Sequence, residues 1–132
     1  MRIEVPQLPG EELSPNARVY WTDRHQASSI YGQAVFYCCV DVRNRLERLP
    51  WRLGFPPFRR PRLDLTFVFS QHRERDEDNL RTQFKPGQDA IVRAGLIEGD
   101  STEQIILGKI TIEVDKDRAP LTIIKLEEAE DG

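Results

Sequence analysis

Three aspartates within one short stretch of this chain have the types and spacing of a metal site. Asp76 and Asp78 are separated by one residue, and Asp100 follows in a turn that contains Gly95 and Gly99. Two carboxylates about 4 Å apart repel each other by roughly 4 kcal/mol at an effective dielectric constant of about 20, so converging acids need a cation or a proton. Oxygen ligands select a hard ion, so the expected metal is Mg²⁺, with Mn²⁺ as the alternative. A capped helix with a solvated neighbour explains the first pair without a metal.

The elements around these acids must bring them together. In an extended segment Asp76 and Asp78 project from one face, and Asp78 is placed to cap a helix that opens with Asn79. Gly95 is expected to end the helical segment as its C′ residue, which lets the chain turn back toward the first pair with Asp100. The predicted site therefore depends on one helical segment and the turn after it.

Lys85 is the lysine nearest to the acids. On a continuous helix it lies on the same face as Asp78, where its charge could assist chemistry at the site. Pro86 leaves another possibility open, because a proline inside a helix kinks it or restarts it with the proline in the first turn. In that case Lys85 points elsewhere.

Several segments resemble the signature of RusA-type Holliday junction resolvases. Residues 76–80 read DEDNL, residues 94–97 read AGLI, and Asp100 follows. Residues 14–18, SPNAR, and 20–21, YW, resemble the N-terminal segment of the same family. The resemblance spans nearly the whole chain in the same order.

The resemblance implies a homodimeric, Mg²⁺-dependent endonuclease without an organic cofactor, which resolves four-way DNA junctions by paired symmetric nicks. Carried over to this chain, the metal ligands and catalytic acids are Asp76, Asp78 and Asp100. Related enzymes have a catalytic lysine four residues after the second aspartate, where this chain has Thr82. Lys85 is the candidate replacement. A catalytically weak relative that binds branched DNA without significant turnover is the alternative, and a metal-binding or protein-interaction module on the same scaffold is a further one.

The net charge of −3 gives no overall basic footprint, but the charge is unevenly distributed. Residues 43–75 contain nine arginines and three acids, immediately before the predicted site. The arginine fork suits phosphate, so this block predicts contact with a DNA backbone, with a solvated loop as the competing interpretation. The predicted DNA-binding residues are Arg59, Arg60, Arg73 and Arg75 of this block, together with Asn16 and Arg18, which lie in the N-terminal loop that the resemblance implies is near the active site.

Periodicity predicts an α+β fold with strands near 2–5, 63–69, 105–114 and 121–126 and a first main helix over 28–46, capped by a serine. A mixed sheet with two main helices packed on it follows from that order. Trp21 is expected to anchor the first helix on the core, with stacking on DNA as the alternative.

The 132 residues fit a single domain, with residues 127–132 as a flexible acidic tail. No apolar run reaches the length of a membrane span, and the N-terminus is unlike a signal peptide. A cytoplasmic protein without membrane contact is the expectation.

Overall fold

Alternating apolar and polar side chains produce the strands of one mixed sheet. The computed structural model describes residues 1–48, 57–99 and 101–129. Its elements, in chain order, are β1 (Arg2–Val5), α1 (Trp21–Glu47), β2 (Pro61–Phe69), α2 (Glu77–Gln83), α3 (Lys85–Arg93), β3 (Ile106–Val114) and β4 (Leu121–Glu128), with short 3₁₀ turns at Glu11–Leu13 and Thr102–Gln104.

The sheet has the strand order β1-β4-β2-β3. β2 and β3 are parallel and are connected through α2 and α3, whereas β4 is antiparallel to both β1 and β2. The predicted α+β class and mixed sheet are confirmed. The last strand in the chain lies inside the sheet, between the first strand and β2.

The core lies between the sheet and the helices. Leu63, Leu65 and Phe67 alternate along β2 and are buried, as the period of two predicts. Phe84 is almost completely buried and makes edge-to-face contacts with the rings of Tyr31 and Phe67. This aromatic cluster joins the helices to the sheet.

Helix α1 begins at Trp21, seven residues before the predicted start at Ser28. Residues 21–28 contain no proline or glycine, so nothing stops the helix from extending toward the N-terminus. Its start, at Tyr20, has no side-chain cap, so the predicted serine cap is also wrong.

The inward face of α1 is a narrow stripe of side chains. Tyr31, Val35 and Cys39 are buried at intervals of four residues, whereas Ile30 and Tyr37 are 53% and 67% exposed. Apolar side chains occur on both faces of this helix, so the hydrophobic pattern alone does not identify the buried one.

The helical segment that follows β2 is interrupted. α2 ends at Gln83, and α3 begins at Lys85 with Pro86 in its first turn. The helix therefore restarts with Pro86 in its first turn, which was one of the two possibilities that the sequence allowed. Gly95 has a φ of 78° just after α3, which confirms the predicted C′ glycine because that conformation is strained for other residues.

The predicted acidic tail is partly wrong. Glu127 and Glu128 belong to β4, and the Glu128 carboxylate accepts the backbone amides of Arg59 and Arg60, both at 2.8 Å. Residues 130–132 lie outside the described residues. None of the described helices combines the length and the apolar character that crossing a bilayer requires.

Candidate functional site

An open groove of about 590 Å³ lies where the N-terminal segment passes the loop between β2 and α2. Its walls come from residues between 8 and 17, from residues 73–76 and from one side of α2. Four of the predicted site residues line it, and they come from two distant parts of the chain. They are Asn16, Arg73, Arg75 and Asp76.

Side chains tie the N-terminal segment to the other wall. The Gln83 amide nitrogen of α2 donates to the carbonyls of Pro9 and Gly10, at 3.4 and 3.1 Å. Arg73 forms an ion pair of 2.6 Å with Glu11, 62 residues away in sequence. Sequence reasoning missed Gln83 and Glu11, because a single glutamine or glutamate carries no motif that indicates such a contact.

The N-cap of α2 is Asp76. Its backbone is extended, with φ −98° and ψ 122°, and its carboxylate accepts the amide of Asp78 at 2.8 Å. The prediction that Asp78 caps this helix is wrong by two residues, because the helix already begins at Glu77. Asp78 lies in the first turn, where the helix dipole favours a negative charge.

Both carboxylates of this pair are exposed. The Asp78 side chain receives no hydrogen bond from any described residue, so its oxygens are available to a ligand. Exposed carboxylate oxygens two residues apart are donors of the type that a hard cation such as Mg²⁺ binds. The chemistry of the Asp76 and Asp78 side chains therefore suits the expected metal.

Arg75 lies next to the acids at the end of β2. Its guanidinium carbon is 3.6 Å from the centre of the Phe69 ring, and it donates to the Arg73 carbonyl at 2.9 Å. Burial lowers the pKa of Arg75, and the neighbouring charge of Arg73 lowers it further. Arginine keeps its proton in proteins, so this contact holds a positive charge in a fixed place beside Asp76.

The N-terminal site residues do not all lie together. Asn16 lines the groove, and its side chain is exposed. Arg18 is exposed but does not line it. Trp21 is 74% exposed and stacks on His25 at 5.1 Å, so the expectation that it anchors α1 on the core is wrong.

The third predicted metal ligand, Asp100, lies outside the described residues. Within residues 1–48, 57–99 and 101–129, no three His, Cys, Asp or Glu side chains form a potential metal-binding group. The metal prediction therefore depends on the one acid that the structure does not describe.

The predicted catalytic lysine is not part of the groove wall. Lys85 is exposed at the start of α3, and Thr82, at the position of the family lysine, donates its hydroxyl to the Asp78 carbonyl at 3.3 Å. The helix break separates Lys85 from α2, so the shared face expected for a continuous helix does not form.

Two of the predicted DNA-binding arginines lie at the other end of β2. Arg59 and Arg60 precede this strand, and Arg59 forms an ion pair with Glu98 at 3.3 Å. Arg73 and Arg75 follow the strand, which is nine residues and therefore about 30 Å long. The four predicted DNA-binding arginines of this block therefore lie in two separate places, before and after β2.

The groove combines two chemical abilities. Arg73, Arg75 and the Asn16 amide present donors suited to phosphate oxygens. Asp76, at the start of α2, presents a carboxylate suited to a divalent cation, whereas Asp78 does not line the groove. A phosphodiester bound here would have positive side chains and the Asp76 carboxylate next to each other.

Comparison with known proteins finds a relative but no matching family model. No protein-family model matches the chain. Over 87 residues, which are 65% of this chain, it is 38% identical to an uncharacterized protein of Xylella fastidiosa (strain Temecula1 / ATCC 700964). The match spans about half of that protein, 52% of its length.

Proposed function

We propose that this chain is a Mg²⁺-dependent, structure-specific endodeoxyribonuclease that acts as a homodimer and resolves four-way DNA junctions by paired nicks. The observation that carries the proposal is the groove, in which Asn16 from the N-terminal segment lies with Arg73, Arg75 and Asp76. The sequence resemblance names the same two regions as the parts of the nuclease site.

Asp76 and Asp78 would hold the metal, together with Asp100. When bound, Mg²⁺ lowers the pKa of an attacking water and stabilises negative charge on the phosphate. Arg75 would orient the scissile phosphate from its place on the Phe69 ring. Arg73 and Asn16 would fix the backbone on either side, since phosphate contacts set the position of DNA on a protein.

Arg75 is better placed than Lys85 to act as the cation of the site. It lines the groove and directly precedes Asp76, whereas Lys85 opens a separate helix. The position of Lys85 on a separate helix also supports the second candidate function, a junction-binding relative with little turnover. Thr82 supplies a hydroxyl where the resolvases have an ammonium group, and the restart of the helix leaves that position without a replacement.

The test is cleavage of a labelled four-way junction, compared with a linear duplex of matched sequence, in Mg²⁺ and in EDTA. Asp78→Asn is expected to abolish nicking, and Arg75→Ala to lower the rate at least about tenfold with a smaller change in binding, because an interaction formed in the transition state affects rate more than binding. Lys85→Ala is expected to stay within about threefold of wild type.

Matched controls are Asp41→Asn and Arg45→Ala, an ion-paired couple on the exposed surface of α1. Both should nick like the wild-type protein. Junction binding without nicks would support the weak relative. The absence of both junction binding and nicking would exclude both candidate functions.

A further inference from the structure

β3 forms one edge of the sheet. Among the described residues it pairs with β2 alone, so the backbone groups of its other edge have no strand partner there. The opposite edge, β1, has four residues, whereas β3 has nine. A long edge strand with apolar side chains is a template for pairing with another strand, and folded proteins usually cover or pair such an edge.

Apolar side chains extend along this edge beyond the cover of the helices. Leu63 and Leu65 of β2 face the core, and their neighbours on β3 are Leu107 and Ile110. Leu107 is 51% exposed and Val114, at the other end of the strand, is 41% exposed. Both rank among the most exposed large apolar side chains of the sheet.

The pairing irregularity in β3 explains why these two residues lie on one face. Two residues, Gly108 and Lys109, oppose the single residue Asp64, so the alternation shifts by one position at this bulge. The Asp64 carboxylate accepts the Lys109 amide at 2.7 Å, and Arg81 donates to the Gly108 carbonyl at 2.9 Å. Leu107, Ile110, Ile112 and Val114 then share the face that carries the helices.

The other face of β3 carries one positive and one negative side chain. Lys109, Thr111 and Glu113 alternate along it. Neither Lys109 nor Glu113 forms an ion pair with any residue of the described ranges, and both are exposed. Each charge is therefore available to a partner.

A two-fold axis through the middle of β3 would bring each of these charges opposite a charge of the other sign on a second copy of the strand. Antiparallel pairing of β3 with a second β3, centred on Thr111, sets Lys109 opposite the partner's Glu113 in both halves. Ile110 then faces the partner's Ile112. Opposite charges and β-branched pairs directly across an antiparallel ladder are stabilising.

We infer that β3 is the homodimer interface, and that it joins two four-stranded sheets into one of eight strands through an isologous contact. The occupant of this edge is a second copy of the chain. The inference deepens the proposed function, because it names the surface behind the homodimer that paired nicking requires. It does not depend on the chemistry in the groove.

The test is sedimentation velocity of the full chain over a range of concentrations. Wild type is expected to be dimeric, and Lys109→Glu and Glu113→Lys should each raise the dissociation constant at least about tenfold, since each creates two like-charge pairs. The double variant restores opposite charges and should return to within about threefold of wild type. Lys125→Glu, the same reversal on the interior strand β4, is the matched control and should leave the dimer intact.

Hydrogen exchange provides a second measurement if a variant does not fold. The β3 amides of the wild-type protein should exchange faster on dilution into the monomer range, while those of β4 should not change. A monomer at every concentration, a dimer that both single reversals leave intact, or a double variant that remains dissociated would each overturn the inference. Asp78→Asn should dimerise like wild type, so an inactive groove and an absent dimer are distinguishable.

Discussion

Asp76 has a structural role as well as its proposed chemical one. One of its carboxylate oxygens accepts the Asp78 amide and caps α2. The other receives no hydrogen bond within the described residues. A carboxylate can cap with one oxygen and bind a cation with the other, so the two roles are compatible and are separable by mutation.

The two roles of Asp76 predict different results for two substitutions. Asp76→Ala should lower the free energy of unfolding by about 1 kcal/mol, because it removes the cap, whereas Asp76→Asn should change it by a few tenths at most. Both should weaken Mg²⁺ binding, because both remove the charge. Urea unfolding and calorimetric titration with Mg²⁺ measure the two effects. An asparagine variant that binds Mg²⁺ like wild type would exclude Asp76 as a ligand.

Tyr31 and Cys39 are buried as the protonated phenol and thiol. Burial raises the pKa of Tyr31 well above its ordinary 10.0, and burial also raises the pKa of the Cys39 thiol from 9.0 to about 12. The Tyr31 hydroxyl donates to Thr122 at 2.9 Å, and Thr122 donates to the Gln7 carbonyl at 2.7 Å. The unfolded chain therefore loses these protons at a lower pH than the folded chain.

Stability should consequently fall as the pH rises above about 9, because the unfolded state binds fewer protons there than the folded state. Below that range both states keep the two protons, and this contribution is fully present. Tyr31→Phe should cost about 1 kcal/mol at pH 7 and should flatten the alkaline decline. Tyr37→Phe, at an exposed tyrosine of the same helix, is the control. Unfolding curves at pH 7.5 and 10.5, roughly either side of the ordinary pKa values of tyrosine and cysteine, measure the effect. If stability fell as steeply between these two pH values in Tyr31→Phe as in the wild-type protein, the prediction would be contradicted.

At the scale of elements, the packing of α1 on α3 depends on two glycines in different surroundings. A β-carbon on Gly87 would lie 2.7 Å from the buried Phe84 ring. A β-carbon on Gly32 would meet the Pro86 carbonyl and Arg93 at 3.4 and 3.5 Å, which are ordinary contact distances. Both glycines are buried in helices, so they form a matched pair.

The same substitution should therefore have opposite effects at these two positions. Gly87→Ala should destabilise the protein by about 1–3 kcal/mol, because Phe84 must leave its place among the aromatic rings. Gly32→Ala should be neutral or stabilise by up to about 1 kcal/mol, since alanine favours a helix more than glycine does. Thermal unfolding compares them. A loss of stability in Gly32→Ala larger than in Gly87→Ala would show that the contact at Phe84 does not limit the packing.

Local patterns predicted the strands better than the helices and the groove. The alternation of Leu63, Leu65 and Phe67 identifies both β2 and its buried face. The start of α1 was missed, because no proline or glycine separates Trp21 from Ser28. The groove depends on contacts such as Gln83 with Pro9, which join residues that no local pattern relates. The position of Arg75 and Asp76 after β2 was predictable, because both residues follow the alternating strand directly in the sequence.

At the scale of the whole molecule, four of the predicted DNA-binding arginines lie beyond opposite ends of β2. Arg73 and Arg75 border the groove, and Arg59 and Arg60 precede the strand, which has nine residues and is about 30 Å long. That length corresponds to about nine base pairs of B-form DNA at about 3.4 Å each. A DNA arm held in the groove would have to extend past this length to reach Arg59 and Arg60.

This arrangement predicts that the effect of the two arginine pairs depends on arm length. A variant that combines Arg73→Ala with Arg75→Ala should weaken binding to all junctions. Arg59→Ala with Arg60→Ala should weaken binding to junctions with arms of about 20 base pairs and have little effect with arms of about 8, because the short arm ends before it reaches these two residues. Titration at fixed salt with both junctions measures this. Equal losses of affinity for both junctions would mean that Arg59 and Arg60 contact some other part of the DNA.

The position of β4 in the sheet affects how the chain folds during synthesis. β1 pairs with β4, and the Met1 amino group donates to the carbonyl of Leu126, 125 residues later. Until β4 emerges from the ribosome, β1 has no partner and β2 has an open edge. Contacts so distant in sequence form slowly, because a long loop must close first. The nascent chain therefore exposes unpaired apolar strands until translation of this region ends, and the cell must protect them by chaperones or by rapid completion of the sheet.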